Sequence, residues 1–150
     1  GDAGASALAA ALGRGALPRL ESLFLTIIGD AGLVALAPAL RRMPALNSLA
    51  LGSNPLGDEG LLALVAPPPP PAGTLPLPTG GLAKLERLNL DYTKITDAGC
   101  TALASALDNG ALPALEFLSL VGIPASAAAK EAVHVALARS RATTHWQIAL

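Results

Sequence analysis

Aromatic side chains are scarce in this sequence: one Trp, one Tyr and two Phe make up 3% of 150 residues. A single Cys excludes an intramolecular disulfide, and with it the stapled secreted scaffolds. Charge of either sign is in short supply. Lys and Arg number 10 against 11 Asp and Glu, a formal net charge of −1. That balance lacks the basic surplus of a nucleic-acid binder. Nor does the chain have the low hydrophobicity and high net charge of a disordered one. No apolar run reaches the roughly 18 residues of a membrane span, because Gly, Pro, Asp or Arg interrupts each candidate. What is present instead is aliphatic. Hydrophobic residues make up 52% of the chain, mean hydropathy is +0.52, and most of this is Ala and Leu. The length suits one ordinary domain, and the aliphatic-rich, aromatic-poor character points to repeats. Gly1-Asp2 is neither an initiator Met nor the start of a signal peptide, so the sequence reads as a piece of a longer chain.

Two blocks alternate along the chain. The first, L-x-x-L-x-L, begins at Leu20, Leu46, Leu85 and Leu115. Its closing L-x-L alternates, which places both leucines on one face of a short strand. The second, D-x-G-x-x-A-L, begins at Asp2, Asp30, Asp58 and Asp97, steps of 28, 28 and 39 residues by their numbers. Here the apolar residues recur at helical spacing: Leu33, Leu36, Ala37 and Leu40 form one stripe, and Cys100, Leu103, Ala104 and Leu107 another. Asp2, Asp30, Asp58 and Asp97 each open a helical run and are read as its N-cap, where a carboxylate meets free N–H groups and the positive dipole end. Their spacing follows the repeat and argues against a shared metal or acid-base site. A fifth, degenerate copy spans 124–137, with Ala127 in place of the Asp and Ser126 as its expected cap. Strand, loop, helix and loop at about 28 residues per turn predict parallel strands joined by right-handed crossovers.

The composite unit, best seen at 46–66 with Asn54, Leu56, Gly57, Asp58 and Gly60, and at 85–107 with Ile95, Asp97 and Gly99, resembles the leucine-rich repeat of the ribonuclease-inhibitor type. The resemblance covers nearly the whole chain. It implies an α/β leucine-rich-repeat solenoid, curved and right-handed, with a parallel sheet on the concave face and helices on the convex face. Three departures stand out. The family's Asn occurs once, as Asn54, with Thr93 and Ile123 elsewhere; the first full repeat is two residues short after Leu25; and the fifth helix lacks its Asp.

The expected organisation is one domain of four to five repeats: a helical half-repeat at 1–16, repeats near 17–43, 44–66, 82–111 and 112–139, and a terminal cap at 140–150. An insertion at 67–81, PPPPPAGTLPLPTGG, separates the second and third repeats. Pro67 to Pro71 cannot continue a helix, so the one after Asp58 should stop near Ala66. The prolines suit polyproline II, either as a tolerated loop insertion or as a docking ligand for a partner. No basic residue flanks them, which favours the insertion. At the far end Trp146, Ile148 and Leu150 alternate and are expected to add a last strand, with Trp146 covering the end of the core. An exposed Trp146 anchoring a partner is the competing reading.

No catalytic constellation emerges. His134 and His145 lack a carboxylate or nucleophile at suggestive spacing. Cys100 fills the position held by Leu33 and Leu61, as a small apolar residue would. No phosphate loop, metal-spaced cluster or dinucleotide fingerprint is present, so neither catalytic, metal nor cofactor residues are assigned. A binding surface is easier to place. Between the inward leucines of the strands lie Ser22, Phe24 and Thr26; Ser48, Ala50 and Gly52; Arg87, Asn89 and Asp91; and Phe117, Ser119 and Val121. Phe24, Arg87, Asn89, Asp91, neighbouring Tyr92 and Phe117 form the candidate partner-binding set, against the plainer reading of cross-strand packing. The expected function is a non-enzymatic scaffold that binds a protein partner through its concave face or its ends. A structural subunit buried in a multiprotein assembly is the alternative, favoured by the low charge. A third reading rests on the resemblance alone: the family includes GTPase-activating proteins for Ran-like GTPases, but no motif singles out a catalytic Arg. The unpaired Cys and the habit of this repeat type place the chain inside the cell.

Overall fold

Each L-x-L segment becomes a three-residue strand, and each D-x-G run becomes a helix. The computed structural model describes residues 2–14, 19–43, 45–65, 82 and 84–149. The elements in chain order are α1 (Asp2–Gly13), β1 (Ser22–Phe24), α2 (Asp30–Arg41), β2 (Ser48–Ala50), α3 (Asp58–Val65), β3 (Arg87–Asn89), α4 (Asp97–Asp108), β4 (Phe117–Ser119) and α5 (Ala127–Ala149). The four strands form one parallel sheet in the order β1-β2-β3-β4. Its register has no offset: Leu23, Leu49, Leu88 and Leu118 stand in line. Each helix packs on the next, from α1 through to α5. This is the α/β leucine-rich-repeat solenoid.

The core lies between sheet and helices and is rewritten in each repeat. Leu33, Leu36 and Leu40 of α2, Leu61 and Leu64 of α3, and Cys100 and Leu103 of α4 meet Leu49, Leu51, Leu88 and Leu90, all buried. Each such leucine contributes about 1.5–3 kcal/mol by leaving water. The segment 66–81, which contains the proline-rich stretch, lies outside the described residues. Its flanks are continuous: α3 ends at Val65, β2 still pairs with β3 in register, and α3 still packs on α4.

The aspartates cap helices, but not their own. Asp30 is the first residue of α2, whose N-cap is Gly29 with no side-chain cap. Its Oδ1 reaches the next repeat and accepts from Gly57 N at 2.7 Å and Gly60 N at 2.8 Å. Those are the free donors at the start of α3. Asp58 does the same for α4, accepting from Thr96 N at 2.8 Å and from the Thr96 hydroxyl. Asp97 accepts from Ser126 N at 2.6 Å ahead of α5. The own-helix assignment is therefore corrected for Asp30, Asp58 and Asp97. A carboxylate at the first helical position points back over the preceding turn and outward, within reach of the neighbouring repeat. The side chain of Asp2 lies outside the described residues. In the degenerate repeat Ser126 Oγ accepts from Ala129 N at 3.1 Å, a local cap.

Asn54 is a second inter-repeat tie. It is buried; its Oδ1 accepts from Ile28 N at 2.9 Å, and its Nδ2 donates to Leu25 O at 2.9 Å and Leu51 O at 2.8 Å. At the same position in the next repeat Thr93 donates only to Leu90 O, at 2.8 Å. Ile28 and Ile123 occupy the outer copies and are buried apolar residues.

The expected last strand at Trp146, Ile148 and Leu150 is not formed. The helix α5 runs without interruption to Ala149. Between Ala127 and Ala149 there is no Gly or Pro, and Ala recurs throughout. Once a helix has nucleated, extension costs little, and two alternating apolar residues give too weak a reason to leave it. The side chain of Trp146 and the whole of Leu150 lie outside the described residues, so neither reading of Trp146 finds support here.

Candidate functional site

Strand alternation puts the residues on either side of Leu23, Leu49, Leu88 and Leu118 on the face away from the helices. The register sorts them into two rows. One holds Ser22, Ser48, Arg87 and Phe117; the other holds Phe24, Ala50, Asn89 and Ser119. Phe117 and Arg87 are therefore direct neighbours. Phe24 stands on the opposite outer strand and in the other row, about 14 Å across at the usual strand spacing. The sheet separates the two phenylalanines. Both are exposed, Phe24 at 70% and Phe117 at 54%.

The polar members have work within the fold. Asn89 Oδ1 accepts from Asp91 N at 2.9 Å. Asp91 Oδ1 accepts from Ser119 Oγ at 2.5 Å and Val121 N at 2.8 Å, tying one repeat to the next. Tyr92 sits in the left-handed region, with φ of 56°, and its ring lies against Gly122, where a Cβ would strike it. Tyr92 is still 63% exposed. Arg87, Phe24, Phe117 and the outer face of Tyr92 are what the strip presents outward.

Two features were not in the candidate set. Ile27 is exposed at 74% and holds φ of 55°. It occupies the position of Ser53, Tyr92 and Gly122, each two residues after the last strand leucine and each left-handed. A β-branched residue is the least suited of the four to that conformation. The repeat spacing was enough to reveal this position, since Ile27 follows Leu25 as Tyr92 follows Leu90. The second feature is a row of carboxylates, Glu21, Glu86 and Glu116, each one residue before its strand and exposed. Their main chain is fixed by the ladder: Glu21 O accepts from Asn47 N and Ser48 N, and Glu86 O from Glu116 N and Phe117 N. An acidic margin thus runs beside Arg87 and Phe117.

Among the described residues no group of three His, Cys, Asp or Glu could hold a metal ion. Cys100 is buried, and burial first, then the Asp97 and Asp58 carboxylates, push its thiol above the ordinary value, against a smaller opposite pull from Lys130. A thiol held protonated is a poor nucleophile. His134 is exposed on α5. Among the described residues no helix is long and apolar enough to cross a membrane.

The class this geometry defines is the leucine-rich-repeat solenoid. The Leucine Rich repeat family matches at residues 43–65 and 81–104, so the chain carries leucine-rich repeats on both sides of the segment 66–81. The solved structure of leiomodin-1 actin-binding site 2 is similar over 92% of this chain and 90% of that one, with a TM-score of 0.61 and 16% sequence identity. That likeness is one of fold. No curated protein sequence matches the chain.

Proposed function

We propose that this solenoid is a non-enzymatic protein-interaction module that takes its partner across the concave strip. The observation that carries the reading is the pairing of Phe117 with Arg87 in one row of the sheet, with Phe117 54% exposed. An exposed aromatic beside an arginine is the usual anchor of a protein interface. Phe24 and Ile27 supply a second apolar point near the solenoid's first strand, and Tyr92 a third between them. Leucine-rich repeats serve interaction in general, and the similar fold in leiomodin-1 belongs to an actin-binding site. Actin is accordingly a sensible first protein to test, on grounds of fold alone. The D-x-G helices favour the ribonuclease-inhibitor type of repeat. An intracellular setting suits the buried, unpaired Cys100 thiol.

The test is site-specific photocrosslinking of the 150-residue chain in its native cells. A crosslinking amino acid at position 24, 87 or 117 should trap a common protein, and one at Leu62 or Val135 on the helices should not. Arg87→Ala should then reduce the yield from position 117. Trapping only from the helix positions would overturn the concave reading in favour of a subunit held by its convex side.

A further inference from the structure

The outer edge of β4 borders a groove of about 400 Å³. Its floor is formed by residues 118–122, and Lys130 and His134 of α5 stand along its wall. In a parallel sheet, alternate residues bond to opposite neighbours. Ser119 O and Val121 O accept from Leu90 N and Tyr92 N, on the β3 side. The N–H and C=O groups of Leu118 and Leu120 therefore turn to the groove. Neither Pro nor a charged side chain within Phe117–Ser119 blocks that edge, although such blocks are the common protection of an exposed strand. Lys130 and His134 are four residues apart, one above the other on the helix, at a rise of about 6 Å. Alternate residues of a strand are about 6.6 Å apart. The two spacings match. Asp91 and Asp97 on the preceding repeat are already held, the first by Ser119 Oγ and Val121 N and the second by Ser126 N.

We propose that the β4 edge accepts an extended acidic segment of a partner protein as a fifth strand. Its main chain would continue the ladder from Leu118 and Leu120. Carboxylates at two alternate positions would meet the Lys130 ammonium and the His134 ring N–H. Main-chain pairing supplies the affinity in such strand addition, and the alternate side chains supply the selectivity. The site shares Ser119 and Val121 with the margin of the concave strip, but none of Phe24, Arg87 and Phe117 lines it.

Fluorescein-labelled hexapeptides of alternating Glu and Val, and of alternating Lys and Val, test it by anisotropy against the full chain. The Glu-Val peptide should bind and the Lys-Val peptide should not. Lys130→Glu should weaken the Glu-Val peptide by about fivefold or more, and His134→Ala should weaken it less. Methylating the alternate amide nitrogens that face the edge should abolish binding, and circular dichroism of the variants should be unchanged. Equal binding of both peptides, or indifference to Lys130→Glu or to N-methylation, would overturn the proposal. So would a dimer of the chain crosslinked through β4, since a second copy would then be the occupant. Crosslinking from positions 24 and 87, on β1 and β3 away from this edge, stands or falls independently of these results.

Discussion

A Cβ on Gly99 would strike the Asp58 carboxylate, and one on Gly60 would come within 2.8 Å of Asp30 Oδ1. The D-x-G motif is therefore a joint between repeats: the Asp of one repeat occupies the space that the missing side chain of the next leaves open. Where the following repeat has Ala129 instead of Gly, Asp97 reaches only Ser126 N, and Ser126 takes over the donor of Ala129. Gly4 has the same place in the motif, yet nothing lies within 4 Å of its would-be Cβ. Gly99→Ala should accordingly lose about 1–3 kcal/mol to overpacking. Gly4→Ala should be neutral or gain up to about 1 kcal/mol of helix propensity. Urea unfolding of the pair checks this, and equal effects at the two sites would remove the joint from the account. Cys100 makes a second prediction. Its thiol is held above the 9.0 of a free thiol, so the folded chain keeps a proton that the unfolded chain releases. Unfolding then sheds a proton, and stability should fall as pH rises from about 9 until the folded thiol ionises. Below that window the thiol contributes no pH dependence. Cys100→Ala should be less stable throughout, by about 1–2 kcal/mol for the lost packing, and should lack this part of the alkaline decline. Parallel declines in both proteins would count against the buried-thiol origin.

Among the elements, the strands were the most legible and the caps the least. L-x-L fixes which residues face inward whatever the neighbours do, so Leu23, Leu49, Leu88 and Leu118 could be aligned by counting alone. The helix stripes were legible for the same reason, since Leu33, Leu36 and Leu40 share a face only at helical spacing. Capping is different. A carboxylate beside a helix start satisfies the local rule and the inter-repeat rule equally well, and only the position of the next repeat decides between them. The hydrogen bonds of the Asn89 and Asp91 side chains are hidden from the sequence for the same reason: their partners, Asp91 N and then Ser119 and Val121, lie across a turn or on the next repeat. At α5 the failure had another cause. Alternation at Trp146 and Ile148 is a short-range signal, and helix propagation from Ala127 is cooperative over many residues. Ile27 is legible from the repeat spacing, since it follows Leu25 as Tyr92 follows Leu90, in the left-handed turn just past the strand face.

Across the whole molecule, each repeat touches only its neighbours, so stability is a sum of repeat and interface contributions. The two ends of that sum are unequal. At the β4 end Leu118 and Leu120 are buried beneath α5, with Val133, Ala136 and Leu137 closing the core. At the β1 end Leu8, Leu23 and Leu25 are only half-buried, and a hollow of about 180 Å³ lies between α1 and β1. The joints are unequal too. Asn54 and Asp30 bind the first full repeat to the second, so fraying at that end should halt at β2 and not run on. Native-state hydrogen exchange should therefore rank the amides in three tiers. Those of α1 should exchange first, those of β4 and the first turns of α5 later, and those of β2, β3 and α4 last. Leu61 and Leu64 on α3 should follow the slow tier, since α3 packs on both α2 and α4. Asn54→Ala would strip Ile28 N, Leu25 O and Leu51 O of this partner and move the halt inward, raising exchange of the β2 amides to the rate of α1. If α1 and β2 already exchanged together in the unaltered protein, the Asn54 tie would not be the barrier.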